Sequence, residues 1–484
     1  MSISQALSNA TSGLGAASRQ AGIVSQNIAN ALTPGYARRE ISLAERTVAG
    51  QGAGVRVAGV DRASTAALTS ERRIADGAAA RDEARLDAAR RISALLGGPE
   101  DAGALFSRLS TFDNSLRDLA NQPANVAAQQ TAAANARQLA IGINDLAISL
   151  QSVRQEADRS IGAEVDRVNA SLKQIERLNG EIEKAVVAGR DASALLDERD
   201  RQLDAVNRAV PSRTLIRDNG RIDLVTLEGA TLLAGEARQI NFRATSFIAA
   251  GQTLNNGALS GLSVDGVDIT PGAAPRAPTG GSLAGYFSVR DSLAPAAASD
   301  LDALAADLIE RFAEPGVDPT APAGAPGLFT DAGAALGSPV APGLASRFSL
   351  NAAVDPRQGG DAARLRDGIY ALGPGAAGSN AILVNLISAL DAPRANGISS
   401  GALQTAAEAA AGLASLRGAA LGAAQSEAAQ SDAFRDTLAE AELAATGVDT
   451  DAELQQLLLI EQAYAANARV IEVTGRLIDQ LTEL

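Results

Sequence analysis

The sequence contains no cysteine, no histidine and no tryptophan, and aromatic residues make up only 3% of its 484 residues. Without cysteine or histidine there is no thiol nucleophile, no Ser–His–Asp triad and no zinc site with nitrogen or sulfur ligands. Disulfide bonds are excluded as well. A core with few aromatics must come from Leu, Ile, Val and Ala, which favours packed helices. We therefore expect a mostly α protein with little scope for catalysis.

Positive charge is also scarce, because 42 Lys and Arg stand against 56 Asp and Glu, giving a formal net charge of −14. Binding to a phosphate backbone needs clustered basic residues, so nucleic acid is not an expected partner. The sequence has no apolar run of about 18 residues, and we expect no membrane insertion. Residues Met1 to Gln5 lack the basic and apolar regions of a cleaved signal peptide. Any export is therefore expected to use another route.

Both ends of the chain carry heptad stripes, the pattern of helices that pair with other helices. The N-terminal stripe consists of Ile3, Leu7, Ala10, Leu14, Ala17, Ala21, Val24 and Ile28. The C-terminal stripe consists of Leu457, Ile460, Tyr464, Asn467, Ile471, Thr474, Ile478 and Leu481. Thr450 and Glu453 fit a capping box at the start of the second helix. An ordinary core helix is the alternative for either stripe alone, but two such ends predict mutual pairing.

From these stripes we assign an assembly interface. It comprises Ile3, Leu7, Leu14, Val24, Ile28, Leu457, Ile460, Tyr464, Ile471, Ile478 and Leu481.

Between the ends, the pattern changes from helical to β and back. Helices are predicted at 62–96, 101–120, 124–187, 192–209, 287–313, 380–391 and 399–445. Asn179 falls on a helical seam, where a polar residue can fix register. Irregular chain or short strands are expected at 41–60, strands at 212–270 with Asn-Gly hairpins at 219–220 and 256–257, and a Pro/Gly/Ala-rich loop at 314–345.

At roughly 150 residues per domain, the length suggests about three domains. We predict an elongated helical bundle with paired terminal coiled-coil helices and a small β subregion. The domains are a terminal-helix core (1–60 plus 447–484), a helical domain (61–211 plus 281–446) and a β-rich subregion (212–280).

Two carboxylate clusters resemble functional sites only superficially. Asp449, Asp451 and Glu453 begin like a calcium loop but lack its later Gly and Glu, so helix capping is the better interpretation. Asp197 and Asp200, with Glu198 between them, alternate with arginines, which indicates a solvated or salt-bridged helix face rather than an acid–base pair. We therefore predict no catalytic residue, no metal and no cofactor.

The segment from Asn27 to Arg38 reads Asn-Ile-Ala-Asn-Ala-Leu-Thr-Pro-Gly-Tyr-Ala-Arg. It resembles the signature of flagellar axial proteins, and the matching positions are Asn27, Asn30, Thr33, Pro34, Gly35, Tyr36 and Arg38. The string from Gly447 to Ile471 looks like the matching C-terminal signature. Two internal segments, 195–203 and 281–291, are similar to motifs of hook-associated protein 1, the FlgK family.

This resemblance implies a structural subunit that joins the flagellar hook to the filament and polymerises through its terminal helices. Implied partners are identical subunits in a ring, the hook protein, the adjacent filament-side hook-associated protein and a FlgN-type export chaperone. Implied localisation is the extracellular flagellum, reached through the flagellar type III apparatus without a cleaved signal peptide. The family's extra outer β domain is expected to be absent here, because residues 314–345 resemble a loop.

Three alternatives remain open at this stage. Another axial protein, such as a hook or distal rod subunit, shares the terminal signatures, although the segments at 195–203 and 281–312 argue against it. A carboxylate-based hydrolase acting on cell-wall glycan needs two carboxylates about 5–10 Å apart, and no pair in the sequence suggests one. An adhesin or scaffold that oligomerises through heptads does not explain the Thr-Pro-Gly-Tyr string.

Overall fold

The computed structural model describes residues 2–48, 51–98, 101, 103–398 and 402–482. Its α-helices are α1 (Ile3–Asn30), α2 (Ala66–Leu96), α3 (Leu105–Asn121), α4 (Val126–Val187), α5 (Ser193–Ala209), α6 (Gly281–Ser288), α7 (Ala294–Ala313), α8 (Arg364–Asp367), α9 (Ala381–Asp391), α10 (Ala406–Thr446) and α11 (Thr450–Thr482). A π-helical turn, Val289–Leu293, joins α6 to α7, and 3-10 turns lie at Leu344–Ser346 and Pro356–Gln358. The predicted mostly α class with long helices at both ends is confirmed.

The strands are short and form small antiparallel sheets. They are β1 (Arg39–Val48), β2 (Gln51–Arg62), β3 (Ser212–Ile216), β4 (Ile222–Thr226), β5 (Thr231–Ala234), β6 (Glu236–Ala237), β7 (Ile240–Asn241), β8 (Ser263–Val264), β9 (Val267–Asp268), β10 (Phe329–Asp331), β11 (Phe348–Leu350), β12 (Arg394–Ala395) and β13 (Leu403–Gln404). Their sheets are β1–β2, β3–β4–β5–β6, β7–β8–β9, β10–β11 and β12–β13.

Helices α1 and α11 pack against each other in antiparallel orientation. Asn27 near the end of α1 contacts Glu453 near the start of α11, whereas Gly13 lies against Asn467 farther along. Their apolar cluster contains Ala17, Val24 and Ile460, with the half-buried Ala21, Ile28 and Leu457 packed around it. The predicted pairing of the two ends therefore exists within one chain.

The hairpin β1–β2 corrects the prediction of irregular chain or short strands at 41–60. Its strands run for 10 and 12 residues, and the hairpin lies along α1. Gly54, with a positive φ of 102°, lets the strand approach closely, since a Cβ there would lie 2.0 Å from the Ser12 hydroxyl oxygen. Gly50, one of three glycines expected to interrupt this segment, lies outside the described residues.

The 62-residue helix α4 is the spine of the helical body. At 1.5 Å per residue it extends about 90 Å. Asn125 caps its first turn by accepting hydrogen bonds from the amides of Ala127 and Ala128 at 3.0 and 3.2 Å. Helices α3 and α7 pack against α4, and α9 and the first turns of α10 pack on α3 and α7 in the same large apolar cluster.

Residues 314–345, predicted to be a loop with little regular structure, contribute to that cluster. Phe329 in β10 is fully buried, and its ring lies 5.7 Å from Phe112, 5.4 Å from Phe312 and 4.7 Å from Phe348, centroid to centroid. Leu344 is fully buried as well. The proline-rich sequence does not predict this packing. A few apolar residues between turns can be buried without following a helical or strand period.

The β subregion follows the prediction in one hairpin and departs from it in another place. Asn219-Gly220 turns the chain between β3 and β4, with Gly220 at a φ of 80°. Between β6 and β8 the predicted strands reduce to Ile240–Asn241, and the turn near Asn256 lies in the long connection from β7 to its partner β8 and does not form a tight hairpin. The reason lies in α4, whose side chains Asp158 and Gln155 accept hydrogen bonds from the backbone amides of Thr245 and Ile248.

Asn179 on α4 is fully buried, as its place on the seam predicted, and it contacts both β4 and Arg199 of α5, whose guanidinium donates to the Asn179 side-chain oxygen at 3.2 Å. Its side-chain amide donates to the Ile222 carbonyl at 2.9 Å and its oxygen accepts from the Ile222 amide at 3.2 Å. Asn179 therefore fixes the position of β4 on the helical body.

A substitution in the aromatic cluster tests this assignment of the core. Replacing Phe112 with Ala leaves a cavity among three other phenylalanines, and we expect the unfolding free energy to fall by about 3–5 kcal/mol. Urea denaturation followed by circular dichroism measures the change. The matched control is Phe247→Ala, because the Phe247 side chain is 74% exposed and its loss should cost less than about 0.5 kcal/mol. Equal effects of the two changes would contradict this assignment of the core.

Candidate assembly site

The structure brings most of the predicted interface residues together at the α1–α11 seam. Val24 and Ile460 are buried there, while Ile3, Leu7, Leu14, Ile28, Leu457 and Ile471 are half-buried. The distal end of the α11 stripe is more open, with Tyr464 46%, Ile478 38% and Leu481 60% exposed. These residues form an intrachain seam, and their role in an interface between subunits stays a prediction.

Small residues allow the two helix backbones to approach closely. Ala10, Ala16 and Ala17 are buried on α1. A Cβ added at Gly13 would lie 2.7 Å from the side-chain oxygen of Asn467. A side chain at position 13 would therefore have to displace the side chain of Asn467 on the partner helix.

A second apolar stripe runs along α11 beside the seam and is exposed. It consists of Leu459, Ala463, Ala466, Val470, Val473, Leu477 and Leu481, spaced mainly by four and three residues. Leu459 is 65% exposed, Val473 49% and Leu477 44%. We call these seven residues the outer stripe. The heptad pattern was used to predict only the face of α11 that packs on α1. The outer stripe has the same spacing in the sequence and was not predicted.

The other flank of α11 is charged. It carries Glu461, Glu472, Arg476 and Asp479, all exposed. The helix therefore has three different faces, namely a seam covered by α1, an open apolar flank and a charged flank.

Asn27 organises the turn that follows α1. Its side-chain oxygen accepts hydrogen bonds from the Tyr36 hydroxyl at 2.8 Å and the Arg39 amide at 3.1 Å. Its side-chain nitrogen donates to the Arg39 carbonyl at 2.9 Å and to Glu453 at 3.0 Å. An asparagine amide has two donors and two acceptor positions, and all four are used here. Among the side chains, only Asn and Gln carry this set of groups.

The rest of the motif shapes this turn. The Asn30 side-chain nitrogen donates to the Gln26 carbonyl at 2.9 Å, and the Thr33 hydroxyl lies 3.3 Å from the Asn30 side-chain oxygen. Pro34 and Gly35 follow, with Gly35 at a φ of 77°. Burial raises the pKa of the Tyr36 hydroxyl above its usual value, so it stays protonated and can donate.

Arg38, the last motif position, ties the turn to the far end of α10. Its backbone amide donates to the Thr446 carbonyl at 2.9 Å, and its carbonyl accepts from the Ala63 amide at 2.8 Å. Its guanidinium pairs with Glu40 at 2.8 Å. The backbone of Arg38 therefore holds together the two places where the chain passes between the terminal helices and the body.

The segment at 195–203 meets this turn, a proximity that sequence reasoning did not find. A Cβ at Gly35 would lie 3.0 Å from the Arg201 side chain. The Asp197 carboxylate is 2.7 Å from both the Arg39 and the Arg62 guanidinium, and its side chain is only 6% exposed. The salt-bridged interpretation of the carboxylates is confirmed for Asp197, which is buried rather than solvated.

The segment at 281–291 has a similar structural use. Arg290 is fully buried, and its guanidinium contacts the equally buried Asp158 at 2.9 Å and Asp291 at 2.8 Å. It also lies 4.6 Å from the Phe287 ring centroid. These contacts join the π-helical turn to α4.

The start of α11 differs from the predicted capping box. Asp449, not Thr450, accepts the first amides, those of Asp451 and Ala452, at 2.9 and 3.1 Å. Glu453 turns towards Asn27 instead, and its second carboxylate oxygen is buried without a hydrogen-bond partner. Burial raises the pKa of Glu453, while the hydrogen bond from Asn27 offsets part of this increase. The calcium interpretation fails on the same geometry, because Asp449 and Glu453 point to different partners.

Within the described ranges, no group of three or more acidic side chains is placed to hold a metal ion. A search of the same residues found no helix apolar and long enough to cross a membrane.

Comparison with known proteins gives consistent matches. Residues 89–316 match the family model of the flagellar hook-associated protein FlgK helical domain. Flagellar hook-associated protein 1 of Salmonella typhimurium is 30% identical over 246 residues, which cover 49% of this chain and 44% of that protein. The Bacillus subtilis protein of the same name is 25% identical over 323 residues, covering 60% and 62%. This chain thus spans less than two thirds of the curated relatives that it matches.

A solved structure, the flagellar hook junction protein FlgK from Burkholderia pseudomallei, aligns with a TM-score of 0.44 and 21% identity. The alignment covers 54% of this chain and 46% of that one.

Glu453 gives the α1–α11 seam a dependence on pH. Because its pKa is raised in the folded state, its contribution to stability is present at low pH and is lost as pH rises through the folded pKa. Lowering the pH from about 7 to about 5 should therefore increase hydrogen-exchange protection at residues 24–30, after correction for intrinsic rates. In the Glu453→Gln variant, residues 24–30 should be protected from hydrogen exchange at both pH values. Glu461→Gln, an exposed change on the same helix, should keep the pH dependence, and loss of that dependence in both variants would refute the role of Glu453.

Proposed function

Because residues 89–316 carry the helical domain of the FlgK hook-associated protein family, we propose that this chain is a structural subunit of the bacterial flagellum that joins hook to filament. The observation that carries the proposal furthest is the outer stripe of α11. A helix that has already paired with the other end of its own chain exposes a second heptad face. Such a face is a typical site of protein association.

Assembly through the terminal helices follows from this geometry. Covering the outer stripe removes apolar surface from water, which stabilises the contact by about 25 cal/mol for each Å² buried. One flank of α11 is apolar and the other is charged. If two copies buried their apolar flanks against each other, neither would have an apolar flank left for a third copy. A head-to-tail contact between unlike faces generates a ring or a helical array instead of a closed dimer. We propose identical subunits as the first partner of this surface.

Further partners follow from the family relationship. A ring at the junction has the hook protein on one side and the adjacent filament-side hook-associated protein on the other. Before assembly the outer stripe needs another cover, and we propose a FlgN-type export chaperone at α11 for that purpose. The role is mechanical rather than enzymatic.

Localisation and domain division are part of the same proposal. We propose an extracellular position in the flagellum, reached through the flagellar type III apparatus. A chain with no disulfide has no covalent crosslink to resist passage in an unfolded state. The proposed domains are the terminal-helix core (1–60 plus 447–484), the helical domain (61–211 plus 281–446) and the β subregion (212–280), without an additional outer β domain.

Deletion of the gene in its source bacterium tests the junction role directly. We expect electron micrographs to show bare hooks, and we expect flagellin to accumulate in the medium because filaments cannot attach. Re-expression of the intact chain is the control and should restore filaments. Normal filaments in the deletion strain would contradict the proposal, while loss of the hooks themselves would indicate a hook or rod subunit.

The outer stripe makes a separate prediction in the same strain. Val470→Glu/Leu477→Glu places two charges on the stripe, and burying each should cost several kcal/mol, enough to weaken association more than about 100-fold. We expect the variant to be exported but to leave hooks bare. The matched control, Gln462→Glu/Gln480→Glu, adds the same charge at exposed polar positions of α11 and should assemble normally. Normal filaments with the stripe variant would exclude this face from the interface.

A further inference from the structure

The boundary between the terminal helices and the rest of the protein contains no shared apolar cluster. We call α1, β1, β2 and α11 the terminal unit, and the remaining elements the body. One apolar cluster of the described residues, that of Ala17, Val24 and Ile460, lies wholly within the terminal unit. The other three clusters contain no residue of that unit. Whatever orients the terminal unit on the body must therefore be polar.

Besides the backbone hydrogen bond from the Arg38 amide to the Thr446 carbonyl, a series of ion pairs crosses this boundary, and it begins at the base of the hairpin. Arg39 and Arg62 are directly opposite each other in the β1–β2 register. Two like charges in that position repel and destabilise a strand pair. Asp197 of the body reverses the effect, because one of its oxygens contacts Arg39 and the other contacts Arg62, both at 2.7 Å. The hairpin base is thus closed by a carboxylate from outside the hairpin.

From there the ion pairs continue into the body. Asp200 contacts Arg62 at 2.8 Å and Arg73 at 2.9 Å. Asp204 contacts Arg73 at 2.6 Å and Arg72 at 2.8 Å. These ion pairs form a ladder in which acidic side chains of α5 alternate with basic side chains of β1, β2 and α2. In order, its members are Arg39, Asp197, Arg62, Asp200, Arg73, Asp204 and Arg72.

The last arginine of this ladder also reaches the far end of α10. Arg72 pairs with Glu442, four residues before that helix ends at Thr446. The side chains of the ladder are between 6% and 35% exposed. Pairs that are partly withdrawn from water interact more strongly than surface pairs, yet water can still replace each contact.

We propose that this ladder is an electrostatic joint that sets the orientation of the terminal unit on the body. Asp197 and Asp200 are positioning residues that act through Arg39 and Arg62. The chain crosses the boundary only at 63–65 and at 447–449, and a polar interface without an apolar core permits relative motion by default. Removing the two carboxylate charges lets the terminal unit swing about these crossings while both sides stay folded.

Distances between two spin labels measure this orientation in the full chain. The absence of cysteine allows labels at Ala58→Cys on the hairpin and Lys173→Cys on α4, both exposed positions. We expect one narrow distance distribution by pulsed electron paramagnetic resonance. Adding Asp197→Asn/Asp200→Asn should widen it about twofold or more, as expected for a freed boundary. The control Glu198→Gln lies on the same helix but pairs only with its neighbours Arg201 and Gln202, and should leave the distribution narrow.

Salt gives a second measurement that needs no substitution at the joint. About 1 M NaCl shortens the Debye length to about 3 Å and should widen the distribution of the labelled parent, with circular dichroism unchanged. A broad distribution in the parent at low salt would overturn the proposal. A distance distribution that stays narrow both in the double variant and in the labelled parent at high salt would also overturn the proposal. Neither hook nor filament is present in this experiment, so its failure leaves the junction role untouched, and failure of the junction role leaves the joint to be judged by these distances.

Discussion

One carboxylate between two guanidinium groups determines how this protein is divided. Arg39 and Arg62 face each other across the base of the hairpin, and Asp197 of α5 contacts both. Without that anion the base would carry two like charges in partly buried positions, which is costly. With it, the first and last elements of the chain are seated on the helical body. Asp197 belongs to the segment 195–203 and Arg39 directly follows the segment 27–38, so two signatures that are far apart in sequence meet at this contact.

The turn after α1 has the same logic at a smaller scale. Asn27 uses all of its hydrogen-bonding capacity on groups from the turn, β1 and α11, and it does so in a buried place where an unsatisfied amide would be expensive. Arg39 links the two networks, because its backbone bonds to Asn27 while its side chain contacts Asp197. Helix end, turn, hairpin and α5 are therefore one connected polar structure, in which Asn27 and Tyr36 of the motif take part through their side chains and Arg38 through its backbone.

How much of this is visible in the sequence depends on the range of the interaction. The heptads of α1 and α11 predicted their pairing, because a period of 3.5 residues is a local property. The Asn27 to Arg38 signature marked the turn, but its partners Glu453 and Asp197 lie hundreds of residues away and no local pattern points to them. The same holds for Asn179, whose burial was predicted while its partner β4 was not. Residues 314–345 contain little regular structure, as predicted, but the burial of side chains such as Phe329 was not predicted, because these side chains follow no period.

The two kinds of contact in the terminal unit also have different consequences. Its internal seam is apolar and is shielded from water by close packing of small residues, so salt should change it little. Its contact with the body is ionic, and its free energy depends on the surrounding solution and on what competes for the same charges. In the proposed role, a subunit placed between two different polymers has to keep its terminal helices paired while meeting neighbours of different geometry. Apolar packing suits the first requirement and an ionic joint suits the second, because a polar contact can rearrange without exposing a core. The outer stripe completes this division, since it leaves one apolar face free for the neighbour to cover.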